Sequence, residues 1–494
     1  MLKALSASRW DYGAAAHLLN RLAFGGPPAA IEKLADLNPD DAVSSLLDYE
    51  NIPDPTPDLE WARPDPEENR AFREAIKNAA SDEKRRLQQE RERTNQQRMV
   101  QLRGWWLNRM AKGPRPFQEN MVLFWHGHFA TSFVKVRNPY YMWRQNELFR
   151  RLATGNWLEL LTFAGKDPAM LIWLDQAQSR RPHANENYAR EVMELFALGI
   201  GHYTEKDVTE GARALTGWSL DPQTESYVYR PFFHDNGIKT FLGQTGNLDG
   251  DDVMRIIVAQ PASARFITGK LWNYFAGQPP SEELNDALAA VFRENGNNFK
   301  SLLRCMFRSE DFYDPSVVRN AVKGPVQWLV GATRMLECDL PPAVVCEGIT
   351  RRMGQDLFAP PNVKGWDGGI SWITTTTLLD RYNTAALLVQ GMEIPEARLE
   401  AMQQMSPMAG NQTETVGKRV HVGGVDVEKI LSSDECADKE RLVTALQHRL
   451  LQSELKGDQA KALRDFLDAR NKLNDADIRA AIRLVMCTPE YQVT

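Results

Sequence analysis

The chain has few cysteines for its length, and their positions form no motif. Five cysteines are spread over 494 residues, and no two of them make a CxxC pair. They are Cys305, Cys338, Cys346, Cys436 and Cys487. An odd number without paired spacing predicts neither a disulfide framework nor a cysteine-based zinc site, so these residues are expected to be ordinary thiols.

Long apolar runs are absent as well. No stretch approaches the roughly 18 consecutive apolar residues that a membrane-spanning helix needs, so no transmembrane segment is predicted. The N-terminus shows no secretory signal, because Arg9 and Asp11 interrupt the short apolar stretch after Lys3. A cytoplasmic location is the default expectation, and export is the alternative if a leader has been removed.

Positive charge is not in excess either. Lys and Arg number 59 against 65 Asp and Glu, and the resulting net charge of -6 argues against a nucleic-acid partner. The sequence contains no HExxH, GxSxG, Walker A, EF-hand or dinucleotide-binding motif. The common hydrolase and nucleotide-binding templates therefore do not apply, and the substrate is unknown at this point.

What the sequence does contain is helical periodicity. Hydrophobic residues make up 43% of the chain, which is enough for a large folded core. Apolar positions recur with a helical period over residues 14–22, 28–48, 67–111, 117–126, 139–153, 157–164 and 185–199. We therefore predict a mainly α, multi-helical globular protein with a small β-hairpin near residues 226–245.

The pattern divides the chain into four expected units. These are an N-terminal helical segment (1–65), a long charged helix (66–112), a main helical domain with the hairpin (113–392) and a C-terminal helical unit (393–494). Within the second unit, residues 66–99 alternate acidic and basic side chains. This alternation is typical of a solvated helix with i,i+4 ion pairs rather than of a nucleic-acid-binding arm.

The C-terminal unit resembles an earlier part of the chain. Residues 266–313 and 441–492 each end in an apolar helix that is followed by Ser309 or Thr488, an acidic residue and an aromatic residue. We expect two related helical units in which these hydroxyl side chains cap the segment that follows them.

Two stretches favour β-structure. Residues 226–248 contain β-forming residues around Asn236-Gly237, a dipeptide typical of a hairpin turn. The glycine-rich stretch 411–425 predicts a second small loop or hairpin, to which no chemistry is assigned.

The first candidate site lies on the helix predicted over residues 117–126. Glu119 and His126 are seven positions apart and share a helix face, and Gly127 is expected to end the helix so that His128 turns back toward them. Imidazole and carboxylate groups suit a divalent transition metal, and a neutral histidine also suits proton transfer. The alternative is a pair of hydrogen-bonded histidines in an aromatic core.

The second candidate site is the helix that begins at Asn185. Asn187, Glu191 and Glu194 follow the i, i+4, i+7 spacing of one helix face, and Arg190 flanks the carboxylates. Two carboxylates one turn apart suit a metal ion or an acid–base pair. The alternative is the solvated face of an amphipathic helix.

The third candidate site is the predicted hairpin. Asp235 is placed to orient His234 for base chemistry, or both residues bind a metal, and Lys239 is placed to contact an anionic group. Ordinary turn chemistry explains Asp235 equally well.

These segments resemble the bacterial family called domain of unknown function 1800 over nearly the whole chain. The stretches that carry the resemblance are HLLNRLAFG (17–25), QENMVLFWHGHFATS (118–132), NENYAREVMELFALGIGHYTEKDV (185–208), ARALTGW (212–218), HDNGIK (234–239), PPNVKGW (360–366) and the closing TPEYQ. The resemblance implies that the three polar segments form one shared site. Its residues would be Glu119, His126, His128, Asn185, Asn187, Arg190, Glu191, Glu194, His234, Asp235 and Lys239.

Three functions remain open. The first is a metal-dependent hydrolase or oxidoreductase. Its divalent transition metal would be held by His126, His128, Glu119, Glu191 and Glu194, and its catalytic residues would be His234, Asp235, Arg190 and Lys239. The second is a metal-free acid–base enzyme that acts on a polysaccharide-like polymer. The third is a helical scaffold or partner-binding protein.

Overall fold

The computed structural model describes residues 2–221, 223–403 and 418–494, and it confirms a mainly α protein. The helices of the first half are α1 (Tyr12–Ala23), α2 (Pro28–Ala35), α3 (Pro39–Leu47), α4 (Pro66–Asn78), α5 (Ser81–Lys112), α6 (Pro116–His128), α7 (Phe133–Val136), α8 (Pro139–Arg151), α9 (Trp157–Gly165), α10 (Pro168–Trp173), α11 (Glu186–Glu191) and α12 (Glu205–Leu215). The segment Val192–Ala197, which follows α11 directly, is π-helical.

The second half continues with helices of similar length. They are α13 (Gly250–Ala259), α14 (Pro261–Ala276), α15 (Glu282–Glu294), α16 (Phe299–Arg308), α17 (Pro325–Met335), α18 (Ala343–Arg352), α19 (Thr375–Gln390), α20 (Glu396–Gln403), α21 (Val427–Ile430), α22 (Ser433–Ala437), α23 (Lys439–Leu446), α24 (Gly457–Asp468) and α25 (Asp475–Met486). None of the helices in the described part of the chain has the length and apolar character needed to cross a membrane.

Proline and short polar side chains fix where the helices begin. Proline occupies the first turn of α6, α8 and α10, where its missing N–H leaves no hydrogen bond unmade. Asn138 caps α8 and Asp167 caps α10, because each side chain accepts a hydrogen bond from a backbone N–H of the first turn. These caps explain why the starts of these helices are readable from the sequence.

The β-structure consists of three small antiparallel pairs in the described residues. Strands β1 (Trp218–Asp221) and β2 (Ser226–Tyr229) form one pair, β3 (Lys239–Phe241) and β4 (Gln244–Gly246) the second, and β5 (Met392–Pro395) and β6 (Arg419–Val422) the third. The first two pairs confirm β-structure in the predicted region. The glycine-rich stretch 411–425 contributes β6, and its residues 411–417 lie outside the described residues.

Asn236-Gly237 was predicted as the hairpin turn, and this detail is wrong. The second hairpin turns at Leu242-Gly243, where both residues have positive φ. Asn236-Gly237 lies before β3 instead, because the Asp235 carboxylate accepts the N–H of Gly237 at 2.8 Å and forms a local turn there.

The charged segment forms two helices, not one long helix. Ala79 and Ala80 have extended backbone conformations between α4 and α5. The break lets α4 fold back on α5, so that Glu68 pairs with Arg91 at 2.6 Å and the Arg91 guanidinium lies 5.3 Å from the centre of the Phe72 ring. This segment is therefore partly packed rather than only solvated.

The predicted similarity between residues 266–313 and 441–492 has a structural counterpart. Each stretch ends in a helix, α16 or α25, followed by a short 3-10 turn. Ser309 accepts the N–H of Phe312, and Thr488 accepts the N–H of Tyr491. Both hydroxyl side chains therefore cap the closing turn, as the sequence predicts.

One hydrophobic cluster joins the helices. Its buried members extend along the chain from Leu5 to Tyr491, and Trp125 and Phe129 of α6 belong to it. Because α6 is buried over most of its length, its polar residues need partners inside the molecule. The five cysteines are free thiols, as expected.

Candidate functional site

Glu119 lies in an ion-pair network on the first turn of α6. Its side chain is 2% exposed, and Arg150 donates to it at 2.7 and 2.8 Å. Arg109 donates at 3.1 Å, and the indole N–H of Trp106 donates at 2.9 Å. Burial opposes ionisation, but Arg150 and Arg109 outweigh it and lower the pKa of Glu119. The carboxylate is therefore an anion whose oxygens are already bonded.

His126 is also bonded within the core. The backbone N–H of Phe358 donates to its Nε2 at 2.9 Å, so this nitrogen uses its lone pair as an acceptor. Burial, assisted by the positive charge of Arg103, lowers the pKa of His126 to about 3. The imidazole is thus neutral and not a proton carrier near neutral pH.

His128 has the opposite tautomer. Its Nε2 lies 2.9 Å from the carbonyl oxygen of Phe196 and must donate a hydrogen bond, which leaves Nδ1 as the acceptor. The ammonium of Lys270 lies 3.4 Å from that Nδ1. Burial and the charge of Lys270 hold the pKa of His128 well below its usual value.

The sequence predicted that Gly127 ends the helix and that Glu119, His126 and His128 converge. The structure corrects the first point, since α6 continues to His128. Among residues 2–221, 223–403 and 418–494, no group of three or more His, Cys, Asp or Glu side chains is arranged to hold a metal ion. A metal ion would bind the unprotonated ring nitrogen, which is Nε2 in His126 and Nδ1 in His128. In both residues that nitrogen already accepts a hydrogen bond.

The second candidate helix begins as predicted and then changes its winding. Asn185 caps α11 by accepting the N–H of Tyr188 at 3.0 Å. From Val192 to Ala197 the helix is π-helical, and the N–H of Leu198 bonds to the carbonyl of Met193 at 2.7 Å. Such wider turns occur often at functional sites because they change the direction of the side chains.

The polar residues of this helix have different partners. Arg190 forms a bidentate salt bridge with Glu205, with N···O distances of 2.7 and 2.6 Å. It therefore does not pair with Glu191 or Glu194, the carboxylates that it flanks in the sequence. Glu194, within the π-helical segment, accepts a hydrogen bond from the hydroxyl of Tyr203. Asn187 is exposed.

Glu191 differs from every other acidic residue of the three candidate sites. Its side chain is half-buried, and no described residue forms a hydrogen bond or an ion pair with its carboxylate. Burial first, and the nearby charge of Glu194 second, raise the pKa of Glu191, while Arg190 and Lys364 act in the opposite direction. The structure thus keeps a protonatable, unpaired carboxyl group close to a second carboxyl group.

Lys364 was not among the predicted site residues, and it belongs to the loop formed by residues 360–366. The loop is fixed on the end of α6. The Trp366 ring centre lies 5.6 Å from that of His126, and a Cβ atom on Gly365 would lie 2.3 Å from the carbonyl oxygen of Gly127. The sequence feature that could have pointed to Lys364 is its position before Gly365 and Trp366 in a loop of turn-forming residues.

In the third candidate site, His234, Asp235 and Lys239 are all bonded to neighbouring parts of the fold. His234 is buried, and its Nδ1 bonds to the carbonyl of Thr216 at 2.9 Å, so Asp235 does not orient it. Arg213 holds Asp235 at 2.9 and 3.2 Å and lowers its pKa to about 2. Lys239 is 1% exposed and donates to the carbonyl of Gly237 at 3.1 Å. These contacts join α12 to the second hairpin.

The structure therefore brings together part of the predicted constellation. Glu191 and Glu194 lie close enough to influence each other's charge, and Lys364 influences Glu191 from the facing loop. Glu119, His126, His128, His234, Asp235 and Lys239 are occupied by bonds to other groups. Catalysis and metal binding by these six residues stay predictions.

The fold and this site define a mainly α protein with an acidic pair at a π-helical segment, opposite a loop that carries a lysine. The family described as protein of unknown function (DUF1800) matches residues 17–493, and the chain belongs to this family. The match extends over the α6 segment, the α11 segment and the loop of residues 360–366 alike. No curated protein and no solved structure matches the chain.

Proposed function

We propose that the protein is a metal-free acid–base enzyme that acts on a polysaccharide-like polymer, with Glu191 as the proton donor and Glu194 as the base. The observation that carries this proposal is the unpaired, half-buried carboxyl group of Glu191 next to Glu194. A structural ion pair or a helix cap would have a partner for that carboxylate.

The environment of Glu191 suits a general acid. An acid catalyst must hold its proton near the working pH, and burial together with a neighbouring carboxylate raises the pKa of Glu191 in the direction that this role needs. Glu194 differs because the Tyr203 hydroxyl donates a hydrogen bond to it. Two carboxyl groups in unlike environments are the usual basis for dividing the acid and base roles.

The remaining groups supply charge and position. During hydrolysis, Glu191 would give its proton to the leaving oxygen while Glu194 accepts a proton from the attacking water. Lys364 would stabilise the carboxylate that Glu191 becomes once it has given up its proton, since the charge of Lys364 favours the ionised form of Glu191. Arg190 would keep the helix in place through its pair with Glu205 and would not react itself.

Two features of the surface on these elements support the proposed substrate class. Trp366, on the same loop as Lys364, is partly exposed and offers an aromatic face of the kind on which sugar rings stack. A cleft of about 220 Å³ opens next to the end of the π-helical segment, lined in part by Gly199, Ile200 and Phe266. A neutral polymer chain suits such an open, partly apolar surface.

A metal-dependent enzyme is the second candidate, and the same two carboxylates support it. Glu191 is the predicted metal ligand whose oxygens have no described partner, and Glu194 lies beside it. Two carboxylates can hold a divalent ion whose other ligands are water and substrate. In this metal-dependent mechanism, neither His126 nor His128 has to be a ligand.

The test compares Glu191→Gln and Glu194→Gln with Glu186→Gln, an exposed glutamate on the same helix. Release of reducing ends from a panel of polysaccharides, together with hydrolysis of chromogenic esters and glycosides, is measured for each protein. We expect the first two variants to lose about 10²- to 10⁴-fold in rate, the usual contribution of a positioned acid or base, and the control to keep its activity.

The other outcomes separate the alternatives. Near-stoichiometric metal in the untagged protein, lost in the Glu191→Gln, Glu194→Gln double variant, would replace the metal-free mechanism by the metal-dependent one. Full activity in both single variants would remove the acidic pair from the mechanism. Absence of any activity in the native protein, with polymer binding or partner binding retained, would favour the scaffold function.

A further inference from the structure

A groove runs along α5, on elements other than those of the acidic pair. It consists of two clefts, of about 250 Å³ and about 660 Å³, which share Glu60, Trp61 and Arg98. Along α5 the lining extends from Arg91 to Asn108, which corresponds to about 25 Å at the helical rise per residue. We call this surface the α5 groove.

The charges of the α5 groove are nearly balanced, because three arginines and four acidic residues line the two clefts. Glu68 pairs with Arg91 at 2.6 Å and lies 3.7 Å from Arg98. The Arg98 guanidinium also lies 5.9 Å from the centre of the Trp61 ring. Since both signs of charge are interspersed along the lining, a strongly anionic or cationic ligand would meet like charges as well as opposite ones, so the groove suits a neutral ligand.

The uncharged polar groups of the groove match hydroxyl groups. Amide side chains line both clefts, among them Asn95 and Asn138 in the smaller one and Gln97 and Gln101 in the larger one. An amide offers both donors and an acceptor, which is what a sugar hydroxyl requires. Asn95 itself is 7% exposed and serves as a fixed wall of the smaller cleft, because its amide nitrogen donates to the carbonyl of Arg137 at 2.9 Å.

Aromatic side chains complete the surface. Trp61 and Trp105 are half-buried in the larger cleft, and Tyr140 lines the smaller one. The indole N–H of Trp61 is fixed by Gln101 at 2.7 Å, and that of Trp105 is fixed by the carbonyl of Pro57 at 2.9 Å. Trp61 is thus held in place and can stack without further loss of side-chain freedom on binding, whereas the guanidinium groups of Arg109 and Arg150 lie over the Trp105 ring at 4.9 and 5.0 Å.

We propose that the α5 groove is a binding site for a neutral polysaccharide chain, with Trp61 as a stacking platform and Gln97 as a hydrogen-bonding group. The length of the groove fits several sugar units rather than one small molecule. The site is formed by other elements than Glu191 and does not rest on the proposed catalysis.

The test is native electrophoresis of the full chain through gels that contain soluble xylan, hydroxyethyl cellulose or soluble starch. We expect at least one of these polymers to retard the native protein. Trp61→Ala should weaken the apparent Kd by about tenfold, as removal of a central aromatic contact usually does. Gln97→Ala, a milder surface change, should weaken it by a smaller factor, and Trp10→Ala, which lines neither cleft, should bind like the native protein.

Other outcomes overturn the proposal. Equal retardation of the native protein, Trp61→Ala and Gln97→Ala would place binding elsewhere, and so would no retardation by any of the three polymers. Binding of unfolded casein that Trp61→Ala abolishes, without polysaccharide binding, would identify the occupant as an extended polypeptide. The Glu191→Gln variant should be retarded like the native protein, so a failure of the proposed catalysis leaves this result unchanged.

Discussion

Glu119 shows how much stability one buried side chain of α6 carries. Its two oxygens receive hydrogen bonds from Arg150, Arg109 and Trp106 inside the core. Glu119→Gln would leave two buried guanidinium groups facing a neutral amide. We expect it to lower the free energy of unfolding by about 3–5 kcal/mol, the usual cost of breaking a buried ion pair from one side. Denaturant unfolding followed by circular dichroism measures this change.

Glu147→Gln is the matched control, because Glu147 pairs with the same Arg150 but is 33% exposed. A smaller loss is expected there, since solvent screens that pair. The pH dependence provides a second check. The pKa of Glu119 is lowered in the folded protein, so its stabilisation is complete above the unfolded value of about 4.3 and is lost as the pH falls through the folded value. Glu119→Gln should remove this part of the acid unfolding, and equal losses in both variants would contradict the argument.

At the residue scale, the sequence showed which side chains could bind a metal or transfer a proton. It did not show which of them already have hydrogen-bond partners in the fold. His126 is occupied by a backbone N–H from Phe358, and His128 by Lys270. Both partners lie more than a hundred positions along the chain, where no local spacing rule reaches. Glu191 and Glu194 could be selected from helix periodicity, because their relation is local. Lys364 could not be placed beside them, since that contact depends on how a loop packs on α6.

At the scale of elements, the loop of residues 360–366 is the part that brings Lys364 within electrostatic reach of Glu191. Gly365 has a φ of +85°, and a Cβ there would lie 2.3 Å from the carbonyl oxygen of Gly127. We expect Gly365→Ala to displace the loop and Lys364 with it, at a cost of about 1–3 kcal/mol, because both the conformation and the space are unfavourable. Hydrogen exchange of a peptide that covers residues 358–372 should become faster.

Gly369→Ala serves as the control for this change. Gly369 also has a positive φ, of +56°, but a Cβ there has no atom within 4 Å. It therefore tests the backbone conformation without the clash. If both variants exchange like the native protein, the loop is not held by α6.

Element boundaries were mostly readable from the sequence, and the exceptions have physical causes. A start marked by proline and a capping Asn, that of α8, was predicted to within a residue or two. The π-helical segment after Glu191 and the break at Ala79-Ala80 were not. Both depend on tertiary packing, whereas the apolar pattern of either segment also suits a continuous helix.

For the whole molecule, α1 ties the two ends of the chain together. Arg21 is 3% exposed and donates to the carbonyl of Val317 and to Asn320, both at 2.7 Å. Asn20 donates to Gln452 at 3.0 Å. Because one hydrophobic cluster includes both ends, Arg21→Ala should shift the main thermal transition rather than a separate N-terminal one.

We expect a loss of about 1–3 kcal/mol for Arg21→Ala, the cost of leaving buried acceptors unpaired. Arg85→Ala is the control, since Arg85 is 72% exposed and its ion pair with Asp82 contributes little. Differential scanning calorimetry resolves the transitions. A thermogram in which a separate, smaller transition shifts, while the main one stays in place, would mean that the N-terminal helices unfold independently.

The burial of half of the histidines determines which imidazole rings a reagent can reach in the folded protein. His17, His126, His128 and His234 are buried, whereas His183, His202, His421 and His448 are exposed. An acylating reagent specific for imidazole can therefore reach the second group in the native state and the first group once the core opens. Acylation of the four buried histidines therefore reports unfolding of the native protein. These residues lie between α1 and the segment before β3, and no label has to be introduced.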